Sequence, residues 1–101
     1  MKLLTVTIPC YNSQEYMEHA INSALIGGDD IEIIIVDDGS SDKTLEIARQ
    51  YEEKYPTIVR AIHKENGGHG SAVNTGIDNA EGIYFKVLDS DDWLDAYSLQ
   101  R

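Results

Sequence analysis

The sequence predicts an α/β fold, a parallel doubly wound sheet with helices on both faces, and three observations lead there. Apolar segments alternate with helical patterns in the order β-α-β-α-β-α-β, and right-handed crossovers turn that alternation into a parallel sheet. Residues 31–36 hold Ile31, Ile33, Ile34, Ile35 and Val36, a β-branched run suited to a central strand covered on both faces. Polar clusters stand directly after the first, second and fourth apolar segments. In the common doubly wound order the fourth strand returns beside the first, and ligands bind outside the strands' carboxyl ends at that switch point.

The elements follow in order. The first strand covers residues 3–8 and is ended by Pro9. The first helix carries Tyr16, Met17, Ala20, Ile21, Ala24 and Leu25 on one stripe at a 3.6-residue period. Asn12 with Glu15 makes a capping start for it, and Gly27-Gly28 a stop. After the strand at 31–36, the second helix runs from about Asp42, a good N-cap, through Leu45, Ala48, Tyr51 and Tyr55, and ends before Pro56. Residues 58–62 make the third strand. Ala72, Val73, Ile77 and Ala80 give a third helix a weaker stripe that Gly76 interrupts, and residues 83–88 make the fourth strand. A further helix is expected from near Asp92. No internal repeat, linker or low-complexity tract divides the 101 residues, so they form one domain with a modest core.

Composition narrows the function. A hydrophobic share of 42% against 26% charged is that of a soluble globular protein. The 18 acidic and 8 basic residues leave a net charge of −10. That argues against a nucleic-acid partner, which needs a cationic face to displace counterions. An anionic small ligand is compatible with it where a cation or backbone N–H groups mask the repulsion. Cys10 is the only cysteine, which excludes an intramolecular disulfide and a four-thiolate zinc site. The N-terminus lacks a signal-type apolar region, and no apolar run is long enough to span a bilayer. A reducing, cytoplasmic setting fits best.

Asp89, Asp91 and Asp92 place three carboxylates in four residues after an apolar strand. Such a cluster repels itself at neutral pH unless a proton or a cation joins it, and hard carboxylate oxygens select Mg2+ or Mn2+. The competing reading is a polar turn capping the next helix. Asp37-Asp38-Gly39-Ser40 ends the second strand, where an acid accepts hydrogen bonds from a ribose or a base N–H. The same residues also make an ordinary turn, and the two roles can coexist. Tyr11 sets an aromatic face at the end of the first strand, suited to stacking on a planar base or simply to packing. Cys10 is read as an inert lone thiol, since neither His63 nor His69 is placed by sequence to activate it. Asn66-Gly67-Gly68-His69-Gly70-Ser71 precedes the third helix, and glycines there let backbone N–H groups approach an anion. Neither the Walker pattern nor the dinucleotide fingerprint occurs, so a flexible turn is the default.

With these residues assembled, the chain resembles the inverting glycosyltransferases of family 2, which have the Rossmann-like GT-A fold. The resemblance covers essentially all 101 residues and rests on four ordered pieces. They are Thr7-Ile8-Pro9-Cys10-Tyr11-Asn12; Ile34-Ile35-Val36-Asp37-Asp38-Gly39-Ser40-Ser41-Asp42; Asn66-Gly67-Gly68 through Ala72-Val73-Asn74-Thr75-Gly76-Ile77; and Gly82-Ile83-Tyr84 to Leu88-Asp89-Ser90-Asp91-Asp92. It implies that Pro9 and Tyr11 line a nucleobase pocket, that Asp38 accepts from the base, and that Asp37 supports that loop. It implies that Asp89, Asp91 and Asp92 form a DXD-type site for Mn2+ or Mg2+. One acid would then sit near the ribose and another on the metal bridging the diphosphate, with the roles unassigned among the three. The implied donor is a nucleotide sugar, a UDP-sugar first, and the implied acceptor a glycan or lipid-linked hydroxyl. Family members often carry a basic residue before the Asn of the third piece; here Val73 precedes Asn74, and that donor contact loses its usual side chain.

The implied mechanism is a single displacement at the anomeric carbon, with a carboxylate base that lies well after the DXD segment in the family. That base is expected beyond Arg101. The chain is then expected to be the donor-binding half, truncated after the DXD segment, binding nucleotide and metal weakly without transferring sugar. The full-length protein would sit in the cytoplasm, at the inner membrane face. Three other readings compete. A nucleotidyltransferase needs a glycine-rich stretch with a basic residue in the first strand-to-helix turn, which residues 9–13 lack. A receiver-like module needs a phosphoacceptor Asp after strand three, where His63-Lys64 stands instead. A non-catalytic acidic α/β module would bind nucleotide or metal without chemistry or, as a degenerate domain, serve only protein contacts without Mn2+-dependent nucleotide binding.

Overall fold

The computed structural model describes residues 2–90. Strands β1 (Leu4–Cys10), β2 (Ile31–Asp38), β3 (Val59–Lys64) and β4 (Tyr84–Val87) form one sheet in the order β3-β2-β1-β4, with every pairing parallel. Helices α1 (Met17–Leu25), α2 (Thr44–Lys54) and α3 (His69–Asn79) connect them, and a short 3-10 turn (Gly28–Asp30) leads into β2. The fourth strand returns beside the first, as expected. That reversal sorts the layers. The steps β1 to β2 to β3 run one way, so right-handed crossovers put α1 and α2 on one face, and the jump back to β4 puts α3 on the other.

All eight residues of β2 are buried, which bears out its central place. Its pleat divides the interior. Ile31, Ile33 and Ile35 join Val6 and Ile8 of β1, Met17, Ala20, Ile21 and Ala24 of α1, and Ala48 of α2. Ile34 and Val36 face the other way, against Ala72 of α3. That second layer is thin because β1 presents Thr5 and Thr7 to it. Below it, at the amino-terminal side of the sheet, buried Glu32 accepts from Thr5 Oγ1 (2.9 Å) and from the Glu81 N–H (2.9 Å), with Arg60 at 3.6 Å. Thr5 Oγ1 also accepts from the Gly82 N–H at 2.9 Å. These bonds fix the turn from α3 into β4 and leave the carboxyl edge clear for a site.

Several local expectations are corrected. Pro9 does not end β1, which continues through Cys10. Proline ends the ladder to β4 instead. The Leu88 N–H donates to Thr7 O at 2.9 Å, and in a parallel ladder the next bond would come from the N–H of residue 9, which proline lacks. β1 and β4 therefore part at that point, while β1 stays paired with β2 through Cys10 and Asp37. Gly76 does not interrupt α3. With Ala72 it forms the buried side of the helix, and a Cβ there would collide with Cγ2 and Oγ1 of Thr7, so the close approach of α3 to β1 requires glycine. Ile77, counted in the stripe, is half exposed. In α2, Ile47 rather than Leu45 packs against the core. No helix among the described residues is long and apolar enough to cross a membrane.

Candidate functional site

Where β1 and β4 part, the carboxyl edge of the sheet opens into a cleft of about 470 Å³. The end of β1 and the loop after it supply Pro9, Cys10, Tyr11, Ser13 and Tyr16; β2 supplies Asp38; the loop before α3 and its first turn supply Asn66, Gly68, His69 and Ala72; the segment after β4 supplies Asp89 and Ser90. Three predicted polar strand ends thus meet in one place. Of the predicted site residues, Pro9, Tyr11, Asp38 and Asp89 line the cleft. Asp91 and Asp92 lie outside the described residues, as does the helix expected from near Asp92.

Asp37 and Asp38 are the last residues of β2, and both are buried. Burying a carboxylate is costly unless it is paired and hydrogen-bonded, and the neighbouring strand supplies partners in register. His63 lies beside Asp37 and Lys64 beside Asp38. His63 Nδ1 stands 2.8 Å from Asp37 Oδ2, and Lys64 Nζ donates to Asp38 Oδ1 at 2.8 Å. The Gly67 and Gly68 N–H groups donate to Asp38 Oδ1 and Oδ2, each at 2.9 Å. Burial pushes the Asp38 carboxyl up, but the Lys64 bond, the two glycine bonds and the lysine charge outweigh it and hold it below its ordinary value. The glycine-rich segment is therefore an ordered anion cradle whose anion is the protein's own carboxylate. Of roughly four acceptor positions on a carboxylate, these bonds leave one on Oδ2. Asp37 points to the opposite face of the sheet and does not line the cleft. Its Oδ1 accepts from the Ser40 N–H at 3.2 Å, which holds the turn after β2.

The loop after β1 is laced to the loop after β2. Asn12, expected to cap α1, instead adopts φ 48° and accepts from the Ser41 N–H at 2.8 Å, while its own N–H donates to Ser40 Oγ at 2.9 Å. The Ser13 N–H donates to Thr44 Oγ1 (2.8 Å) and the Lys43 N–H to Gln14 Oε1 (3.0 Å). Asp42, expected to be the N-cap of α2, stands one residue before it, since Lys43 holds the cap position; its Oδ1 accepts from the N–H of Thr44, the first helical residue, at 2.9 Å. Held on this frame, Tyr11 and Tyr16 stand about half exposed at the cleft. Cys10 is buried below them with its thiol pushed up to about 12, by burial first and then by the Asp37 charge. It is a structural thiol, consistent with its sequence reading.

Across the cleft, Ser13 Oγ and Ser90 Oγ are 2.7 Å apart, and His69 Nε2 stands 2.9 Å from Asp89 Oδ1. Among the described residues no group of three or more His, Cys, Asp or Glu side chains is placed to hold a metal. Of the expected set, the described part supplies Asp89, whose side chain is more than half exposed, beside the Ser90 hydroxyl. Those are oxygen donors of the kind Mg2+ and Mn2+ take. Sequence reasoning missed Ser13, Tyr16, Asn66, His69 and Ser90 as cleft residues, and Lys64 as the partner of Asp38. One signal was available for the last: Asp37-Asp38 and His63-Lys64 close successive strands of a parallel sheet, where register sets them side by side.

Comparison with known proteins places the chain. The family model for glycosyl transferase family 2 matches residues 5–101. An uncharacterised glycosyltransferase of Rickettsia typhi is 50% identical over 91 residues, covering 89% of this chain and 27% of that protein. The uncharacterised glycosyltransferase EpsJ of Bacillus subtilis is 42% identical over 100 residues, covering 98% and 29%. The chain thus spans less than a third of the length of these relatives. Among solved structures, Staphylococcus aureus TarS 1-349 in complex with UDP-GlcNAc superposes with a TM-score of 0.81 at 34% identity, over 99% of this chain and 29% of that one. The mannosyltransferase PcManGT of Pyrobaculum calidifontis, in complex with GDP-Man and Mn2+, gives 0.81 at 26% identity, over 92% and 28%. By its sequence match and by a parallel sheet in the order β3-β2-β1-β4, the chain belongs to glycosyltransferase family 2, with the GT-A fold.

Proposed function

We propose that residues 1–101 are the donor-binding part of a GT-A glycosyltransferase domain that moves a sugar from a nucleotide sugar to an acceptor hydroxyl with inversion. The observation that carries this is the convergence of Tyr11, Asp38 and Asp89 on one cleft at the carboxyl edge of the sheet. Tyr11, with Pro9 beneath it, offers the base a stacking face, and the remaining acceptor position on Asp38 meets a base N–H. Asp37 acts from behind, holding the turn through Ser40. Asp89, with Asp91 and Asp92, serves the ribose and a Mn2+ or Mg2+ ion. When bound, that cation neutralises charge developing on the leaving diphosphate. A UDP-sugar is the favoured donor, because TarS, solved with UDP-GlcNAc, is more similar in sequence to this chain than PcManGT, solved with GDP-Man. The base that takes the proton from a glycan or lipid-linked acceptor belongs to the part of the relatives that this chain does not span, so the chain alone binds donor without transferring sugar.

Calorimetric titration with UDP, with and without Mn2+, tests this. Wild type should bind UDP only with the metal, Asp92→Ala should lose that dependence and most of the affinity, and Tyr11→Ala should weaken binding about tenfold, the scale of one lost base–aromatic stack. Absent or metal-independent binding by wild type would overturn the reading, absence in favour of a domain used only for protein contacts.

A further inference from the structure

Several cleft side chains have no part in the roles above, and one of them is basic. His69 opens α3, lines the cleft, and is mostly exposed, with Nε2 2.9 Å from Asp89 Oδ1. An ionised carboxylate only accepts, so Nε2 carries the hydrogen and donates. The contact joins two separate elements across the opening between β1 and β4, the start of α3 and the segment after β4. The backbone holds His69 there. Gly68, at φ +93°, gives its N–H to Asp38 Oδ2 and its carbonyl to the Ala72 N–H at 3.1 Å, so the loop anchored on Asp38 passes directly into the helix. Residues 66–80 contain no Lys or Arg, which makes His69 the only basic side chain of that segment. The two cleft carboxylates are thus served differently among the described residues: Asp38 by Lys64 and two backbone N–H groups, Asp89 by His69.

We infer that His69 is a positioning residue for the donor site, holding the Asp89 carboxylate from the α3 side in the orientation that meets the donor's ribose or its bound cation. This rests on the donor-site reading above. An exposed pair of this kind adds little to folding stability, so its effect should appear in binding and not in unfolding. Partners that orient a ligating carboxylate typically change affinity by about 10–100-fold when removed.

The test is UDP titration in Mn2+ on wild type, His69→Ala and His69→Gln, with thermal unfolding of each. His69→Ala should bind UDP about tenfold more weakly at an unchanged Tm. His69→Gln, whose side-chain amide can donate in place of Nε2–H, should recover to within about threefold of wild type. In wild type the His69 ring resonances should shift when UDP is added with Mg2+. Equal affinity of His69→Ala and wild type, a Gln variant as weak as the Ala variant, or unmoved ring resonances would each overturn the inference and leave the donor site standing. No UDP binding by wild type would overturn both.

Discussion

Replacing Asp38 with alanine should destabilise the fold more than its place at an open cleft suggests. Asp38 is 4% exposed and accepts from Lys64 Nζ at 2.8 Å and from the Gly67 and Gly68 N–H groups at 2.9 Å. Alanine leaves a partly buried ammonium with only the Glu65 carbonyl as partner, and two N–H groups without their acceptor. Removing one partner of a buried pair costs about 3–5 kcal/mol. The adjoining cleft admits water to the freed groups, so the low end applies, about 3 kcal/mol. In a chain of this size about 1 kcal/mol moves Tm by roughly 4–8 °C, and the variant should melt some 12–24 °C below wild type. Lys64→Met leaves Asp38 its two backbone donors and should cost only about 1–2 kcal/mol. The double variant should fall short of the sum, because both single changes break the same bond.

The pH dependence has a definite sign. The folded pKa of Asp38 lies below the ordinary 3.8. Its contribution is therefore fully present above that ordinary value and is lost as pH falls through the folded one. Urea unfolding followed by far-UV circular dichroism should give a constant gap between wild type and Asp38→Ala from pH 7 to about 5, and a shrinking gap below 3.8. A gap under about 1 kcal/mol at pH 7, or one that widens in acid, would refute the role given to this carboxylate.

Three further outcomes follow from the packing. Gly76→Ala drives a methyl group into Thr7 and should cost about 1–3 kcal/mol in urea unfolding; adding Thr7→Ala should recover much of that loss, and no recovery would show that the contact is not the cause. Thr7 Oγ1 is buried with no hydrogen-bond partner among the described residues, so Thr7→Val should leave stability unchanged or raise it by up to about 1 kcal/mol, whereas a loss above about 1 kcal/mol would mean the hydroxyl has a partner in solution. Cys10, with its thiol pushed up to about 12, should resist iodoacetamide at pH 8 in the folded chain and react on unfolding, as mass spectrometry would report; rapid labelling of the native chain would contradict its burial.

The layer order, the central strand and the three polar strand ends were legible because each depends on local pattern: period-2 and period-3.6 burial, a β-branched run, and acids placed directly after apolar segments. What escaped depends on distance across the fold. Gly76 reads as a helix breaker in one dimension and is a contact point in three, since only the position of Thr7 under α3 makes glycine necessary there. Asn12 has the composition of a cap, but its left-handed backbone sends the side chain to Ser41 of the next loop. Pro9 reads as the end of the first strand but ends only its pairing with β4, because a strand paired on both sides can stop on one side and continue on the other. Tyr16 sits at the period of the α1 stripe, yet it falls in the turn before the helix and faces the cleft.

The use of Gly67 and Gly68 also bears on how the site binds an anion. A glycine-flanked helix N-terminus ordinarily offers its N–H groups to a phosphate, but here two of them are taken by Asp38. Lys64 is held by the same carboxylate, and Arg60 lies with Glu32 below the sheet. The described cleft therefore meets a diphosphate with Asp38, Asp89 and a single imidazole, in a chain of net charge −10. Unassisted, the diphosphate should add nothing to affinity and should be repelled; the proposed divalent cation at the acids of residues 89–92 would reverse the sign. This separates two halves of the donor in one experiment. In EDTA, uridine should bind as tightly as UDP or more tightly; in Mn2+, UDP should gain at least about tenfold over uridine, or 1.4 kcal/mol. If UDP already outbinds uridine in EDTA, the chain holds the diphosphate with its own N–H groups or cations, and the assignment of Gly67 and Gly68 to Asp38, and of Lys64 to Asp38 and the Glu65 carbonyl, is wrong.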